Sequence, residues 1–206
     1  MTTMSEYPWP EQFEEPFGHE PGPGWFFNAC MDPRPDMLHY ATAYRRAAEV
    51  MFTHLAQAGG DERHHNDLVV YPIVFCWRQF LELTMKEMVS MVRVLTDRTG
   101  SADLGKHRLM PLWTELSQHL PDLGAAQAEM NIVGKTIAYL DAFDRDSFAF
   151  RYPADKKGAS TQKSIPTLIN LRKLDGVMQR VANWLDAGRS EARMRLDWHY
   201  ESLAGE

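Results

Sequence analysis

The sequence predicts an all-α protein, a four-helix up-and-down bundle with short extra helices. Two observations carry this. Apolar residues recur at helical spacing in four long stretches, and no alternating strand pattern, internal repeat or βα alternation occurs. A third sets the boundaries. Residues 1–35 hold seven of the twelve prolines, so an extended arm precedes a single helical domain over 36–206.

The arm reads "PWPEQFEEPFGHEPGPGWFF" and carries Tyr7, Trp9, Phe13, Phe17, Trp25, Phe26 and Phe27. Disordered tails are poor in aromatics. The arm is therefore expected to dock on the body, or on a protein partner. From Asp36, apolar residues at 37, 38, 41, 44, 48, 51, 52 and 55 follow a 3.6 period, with Asp36 as N-cap and Gly59–Gly60 as the stop. The next helix is expected over about 67–96, with Pro72 near its first turn. After Arg78 its polar residues fall at 79, 82, 86, 90 and 93, which predicts one wet face. A short helix over 107–123 and a third long one ending near Asp144 follow. Residues 145–165 show no helical period and predict a long loop, a feature usually tied to function or disorder. "TLINLRKLDGVMQRVANWLDAG" gives the fourth long helix, and Ser190 is expected to cap a separate terminal helix.

At 206 residues the chain suits one domain. Its net charge of −6 lacks the global basic footprint of a nucleic-acid binder, but leaves room for a local basic patch. Cys30 and Cys76 form no disulfide framework or zinc spacing, which points to a reducing cytoplasm. The acidic, proline-rich start does not read as a secretory signal. No window of 18 or more apolar residues exists, so no membrane partner is expected.

Several motifs fail on inspection. "VGKT" at 133–136 resembles the end of a phosphate loop, but Glu129 stands where that motif needs glycine. Glu115 and His119 share a helix face and His64–His65 are adjacent, yet the repeated Glu-x-x-His pairs of di-iron bundles are missing, so no metal or cofactor is expected. Arg34–His39 and Arg193–His199 fit the spacing of helical ribonucleases, but chance alone yields roughly two such matches.

Two stretches resist dismissal. Nine consecutive residues, Val69 to Trp77, are apolar or proline, and Arg78 and Glu82 then stand one helical turn apart. Burying a charge is expensive unless it is paired or used. Two readings stay open: an ion pair of purely structural value, or an arginine aimed into a cleft. Between 145 and 163, five basic residues face two acidic ones in an otherwise acidic chain. Phe148, Phe150 and Tyr152 alternate around Arg151, which predicts an extended two-faced segment. Arginine among aromatics suits base stacking and phosphate binding. The bland alternative has the aromatics anchoring the loop and Arg151 paired with a carboxylate such as Glu82.

Three stretches, "YPIVFCWRQFLELTMKEMV", "GKHRLMPLWTEL" and "DRDSFAFRYPADKKG", together resemble a group of small bacterial helical proteins of the HEPN-like kind over about 66–185. The match falls on Arg78, Glu82 and Lys86, on His107 and Trp113, and on Asp146, Phe150, Arg151, Tyr152 and Pro153. Gln79 stands where that group often has histidine, and Arg108 where aspartate is common. The resemblance implies a homodimer acting on RNA or a nucleotide in bacterial defence or a toxin–antitoxin system, with metal-independent ribonuclease activity. Arg78, His107 and Arg151 are its candidate catalytic groups. Glu82, Lys86, Asp146, Phe150, Tyr152, Lys156 and Lys157 are its candidate binding groups. The alternative is a non-catalytic helical interaction module whose charges are structural.

Overall fold

The structure is a computed structural model that describes residue 29 and residues 32–57, 63–154, 158–161 and 165–205. The chain divides into two units, Met1–Arg34 and Pro35–Glu206. Nearly all of the expected arm lies outside the described residues. So do Lys156, Lys157, Gly59, Gly60, Cys30 and the side chains of His64 and His65.

Among its described residues the second unit holds five helices: α1 (Met37–Gln57), α2 (Arg63–Thr96), α3 (Leu109–Leu116), α4 (Gln127–Phe143) and α5 (Leu171–Ala204). No strand occurs among the described residues, and the one ladder contact is an isolated bridge between Ala154 and Ser160. The centre is α2, which packs against α1, α5 and α3, while α4 lies on α3. Its Trp77, Phe80, Leu81, Met85 and Met88 are buried among Leu109, Leu112, Leu116, Val181 and Leu185. By length and composition, Asn66–Thr96 is apolar enough to cross a membrane, and more than half of its most apolar window is buried against the other helices.

Local sequence explains the start of α1. Asp36 accepts the backbone N–H of His39 at 2.9 Å and caps α1 as expected. The small buried Ala41 and Ala48 let α1 approach α2 closely. Arg45 on α1 reaches α5, donating to Asp186 at 2.5 Å and Asn183 at 2.7 Å.

Three expectations need correction. First, Pro72 lies in the interior of α2, not its first turn. It is exposed, so water can reach the Leu68 carbonyl that loses its donor. Second, α5 continues through Gly188 without a break. A Cβ at Gly188 would stand 3.2 Å from Met88, so this glycine serves close packing of α5 on α2. Ser190 caps nothing; its hydroxyl donates to the Asp186 carbonyl at 2.8 Å within the same helix. Third, the expected wet face of α2 is largely covered, since Glu82 and Lys86 are both buried.

Candidate functional site

The polar stripe of α2 lies beneath two connections, the one entering α3 and the one leaving α4. Arg78 is 1% exposed and joins all three elements. Its Nε donates to the Asp144 carbonyl at 3.0 Å, and one Nη donates to Glu82 Oε2 at 2.7 Å. Its other Nη donates to the His107 carbonyl. One guanidinium therefore fixes the backbone at the start of α3 and the end of α4. Arginine suits this work because its planar fork offers five donors in set directions.

Glu82 is also 1% exposed and serves three donors. Besides Arg78, its Oε1 accepts from Lys86 Nζ at 2.8 Å and faces His107 Nδ1 at 2.9 Å. Burial pushes the Glu82 carboxyl up, but the hydrogen bonds from Lys86, Arg78 and His107 outweigh it and hold it below the usual glutamate range. An ionised carboxylate only accepts, so His107 Nδ1 must carry the proton and donate. In the neutral imidazole, Nε2 then keeps its lone pair. The His107 side chain is 55% exposed while its carboxylate anchor is 2% exposed. A fixed, reachable imidazole on a buried carboxylate is one arrangement that suits general acid–base chemistry.

Further bonds hold the surroundings. Asp141 on α4 accepts the Leu109 N–H at 2.9 Å and caps α3 from a neighbouring helix. Asp144 accepts the Ala149 N–H at 2.9 Å. Gln79 donates to Ser147 Oγ at 2.8 Å, and Ser147 is fully buried at φ 61°. That left-handed conformation turns the chain sharply after α4.

His107 lies in an open groove of about 560 Å³ between residues 106–108 and 143–149. Lys106, Arg108 and Arg145 line it, with Phe143, Phe148 and Asp146. Among the described residues, Lys106, Arg108 and Arg145 have no ion-pair partner, and the shielded Arg108 Nε has no hydrogen-bond acceptor. Three cations on an acidic protein make a local positive site.

The expected residues thus part company. Arg78, Glu82, Lys86 and His107 meet in one network. Arg151 does not pair with Glu82. Its Nε donates to the Ser147 carbonyl at 2.6 Å, and its guanidinium lies 5.3–5.5 Å from the rings of Phe75, Phe148 and Tyr152. The segment is not extended: the Tyr152 N–H returns to the Phe148 carbonyl at 2.9 Å. Phe150 turns inward beside Val74 and Ala149, while Tyr152 stays exposed and packs on Phe148. Asp146 faces the groove. Sequence reasoning had no direct signal for Lys106 or Phe143. Arg108 stood out as a departure from the HEPN-like pattern, and Arg145 as part of the basic loop. No group of three metal-ligating side chains occurs among the described residues. No protein-family model, curated protein or solved structure matches the chain.

Proposed function

We propose that this is a HEPN-like helical bundle protein that binds RNA or a nucleotide through phosphate in the groove beside His107. The observation that carries this is His107 itself, held on the buried Glu82 and flanked by the unpaired Lys106, Arg108 and Arg145. Cations of this kind bind phosphate, and Phe143 and Phe148 offer faces for bases. The activity is metal-independent RNA cleavage. His107 Nε2 takes the proton of a ribose 2′-hydroxyl, the 2′-oxygen bonds to phosphorus, and the 5′-oxygen leaves with a proton returned by His107. Lys106, Arg108 and Arg145 offset the developing phosphorane charge, a part that the buried Arg78 and Arg151, held on the Ser147 carbonyl, do not take. The HEPN-like resemblance adds a cytoplasmic homodimer in bacterial defence or a toxin–antitoxin system.

A second reading has its own support. Every guanidinium nitrogen of Arg78 is hydrogen-bonded and the side chain is enclosed, as in a purely structural network. The protein is then an interaction module without catalysis. RNA cleavage in EDTA separates the two. Wild type should cut, and His107→Ala and Arg145→Ala of unchanged thermal stability should not. If wild type leaves every RNA intact, the catalytic reading falls.

A further inference from the structure

The groove has a charge balance of its own. Beneath it, Arg78 and Lys86 stand against Glu82 and Asp144, so the buried network is formally neutral. Asp144 belongs to that network through the ion pair of its Oδ2 with Arg78 Nε at 3.5 Å and the Ala149 N–H on its Oδ1, although its buried Oδ2 accepts no hydrogen bond among the described residues. Among the described lining residues, what remains is Lys106, Arg108 and Arg145 against Asp146, a fixed charge of +2 before His107 is counted. The Arg108 Nε is shielded from solvent and lacks an acceptor among the described residues. A buried donor without a partner costs free energy until something supplies an oxygen.

An internal phosphodiester brings one negative charge. A phosphate monoester brings between one and a half and two at neutral pH, with three terminal oxygens as acceptors. The volume of about 560 Å³ bounds a site for one or two nucleotides, not a duplex, whose grooves and phosphates span a far wider surface. Resting on the reading of the groove as a phosphate site, we propose that its preferred ligand is a phosphate monoester on a nucleotide, either a free mononucleotide or the phosphorylated end of a single-stranded RNA. The terminal phosphate meets Arg108 and Arg145, and the attached base lies against Phe143 or Phe148.

Competition binding tests this with the full-length protein in EDTA at fixed salt, because phosphate contacts are salt-dependent. The probe is a labelled single-stranded 2′-O-methyl oligonucleotide, which cannot be cut by 2′-oxygen attack. Competitors are the same oligonucleotide with a 5′-phosphate, a 3′-phosphate or neither, and adenosine monophosphate beside adenosine. Removing the terminal phosphate should weaken binding at least tenfold. Arg108→Gln should erase that difference; so should Arg145→Gln, an exposed position where loss of fold is not the issue. Adenosine monophosphate that binds in a direct calorimetric titration while oligonucleotides do not supports the proposal with a free nucleotide as the source. Oligonucleotides with and without terminal phosphate that bind within twofold overturn it, while RNA binding stands. If no nucleic acid or nucleotide binds at all, both the monoester proposal and the phosphate-site reading fall.

Discussion

Replacing Arg78 with alanine removes one side chain and leaves three acceptors short. Glu82 loses its bond on Oε2, and the carbonyls of Asp144 and His107 lose their donors. Breaking a buried ion pair by deleting one partner costs about 3–5 kcal/mol. Glu82 keeps Lys86 and His107, which pulls the estimate toward the lower end. Each orphaned carbonyl pulls it back up, by about 1–3 kcal/mol where water cannot reach. The net expectation is about 3–5 kcal/mol. At roughly 2–4 °C per kcal/mol for a domain of this size, Tm falls by about 6–20 °C. Thermal and urea unfolding followed by far-UV circular dichroism measure this. Arg78→Lys keeps a charge for Glu82 but cannot span both carbonyls, so it should fall between wild type and Arg78→Ala. An Arg78→Ala variant within about 1 kcal/mol of wild type would refute the claim that this guanidinium holds the two connections together.

Other outcomes follow from the same geometry. Glu82 titrates below the ordinary glutamate value of 4.5, so its stabilising contribution is complete above that pH and is lost as pH falls through the lower folded value. Glu82→Gln should therefore show a shallower loss of stability below pH 4.5 than wild type, and parallel slopes would contradict this. Glycine at 134 leaves room for Trp113: an added Cβ would stand 2.6 Å from its Nε1. Gly134→Ala should cost about 1–3 kcal/mol by overpacking, read as a lower urea midpoint at unchanged slope. Arg151→Ala removes an exposed arginine held by one carbonyl and three rings, and should cost no more than about 1 kcal/mol. A larger loss would mean that Arg151 closes the loop over the core.

The sequence by itself determined the helical class, the Asp36 cap, the extent of the core helix near its end at Thr96, and the conjunction of a charged turn with an apolar run. These are legible because periodicity and caps act within a few residues along the chain. Ser190 misled because a serine hydroxyl bonds equally well to a carbonyl four residues back, and Gly188 because a helix keeps glycine where a neighbour presses close. The alternation of Phe148, Phe150 and Tyr152 misled because a turn at Ser147 replaces the two-faced segment. The "VGKT" glycine lies inside α4, and its packing role against Trp113 is not legible in the sequence. Only the tertiary structure decided what Arg78 binds, because the carbonyls of His107 and Asp144 lie 29 and 66 residues away along the chain. Only the tertiary structure gathered Lys106, Arg108 and Arg145 into one groove, and it did so through backbone held by Arg78, Asp141 and Asp144. Long-range hydrogen bonds to main-chain oxygens leave no mark on residue identity at the accepting end, since every residue carries a carbonyl.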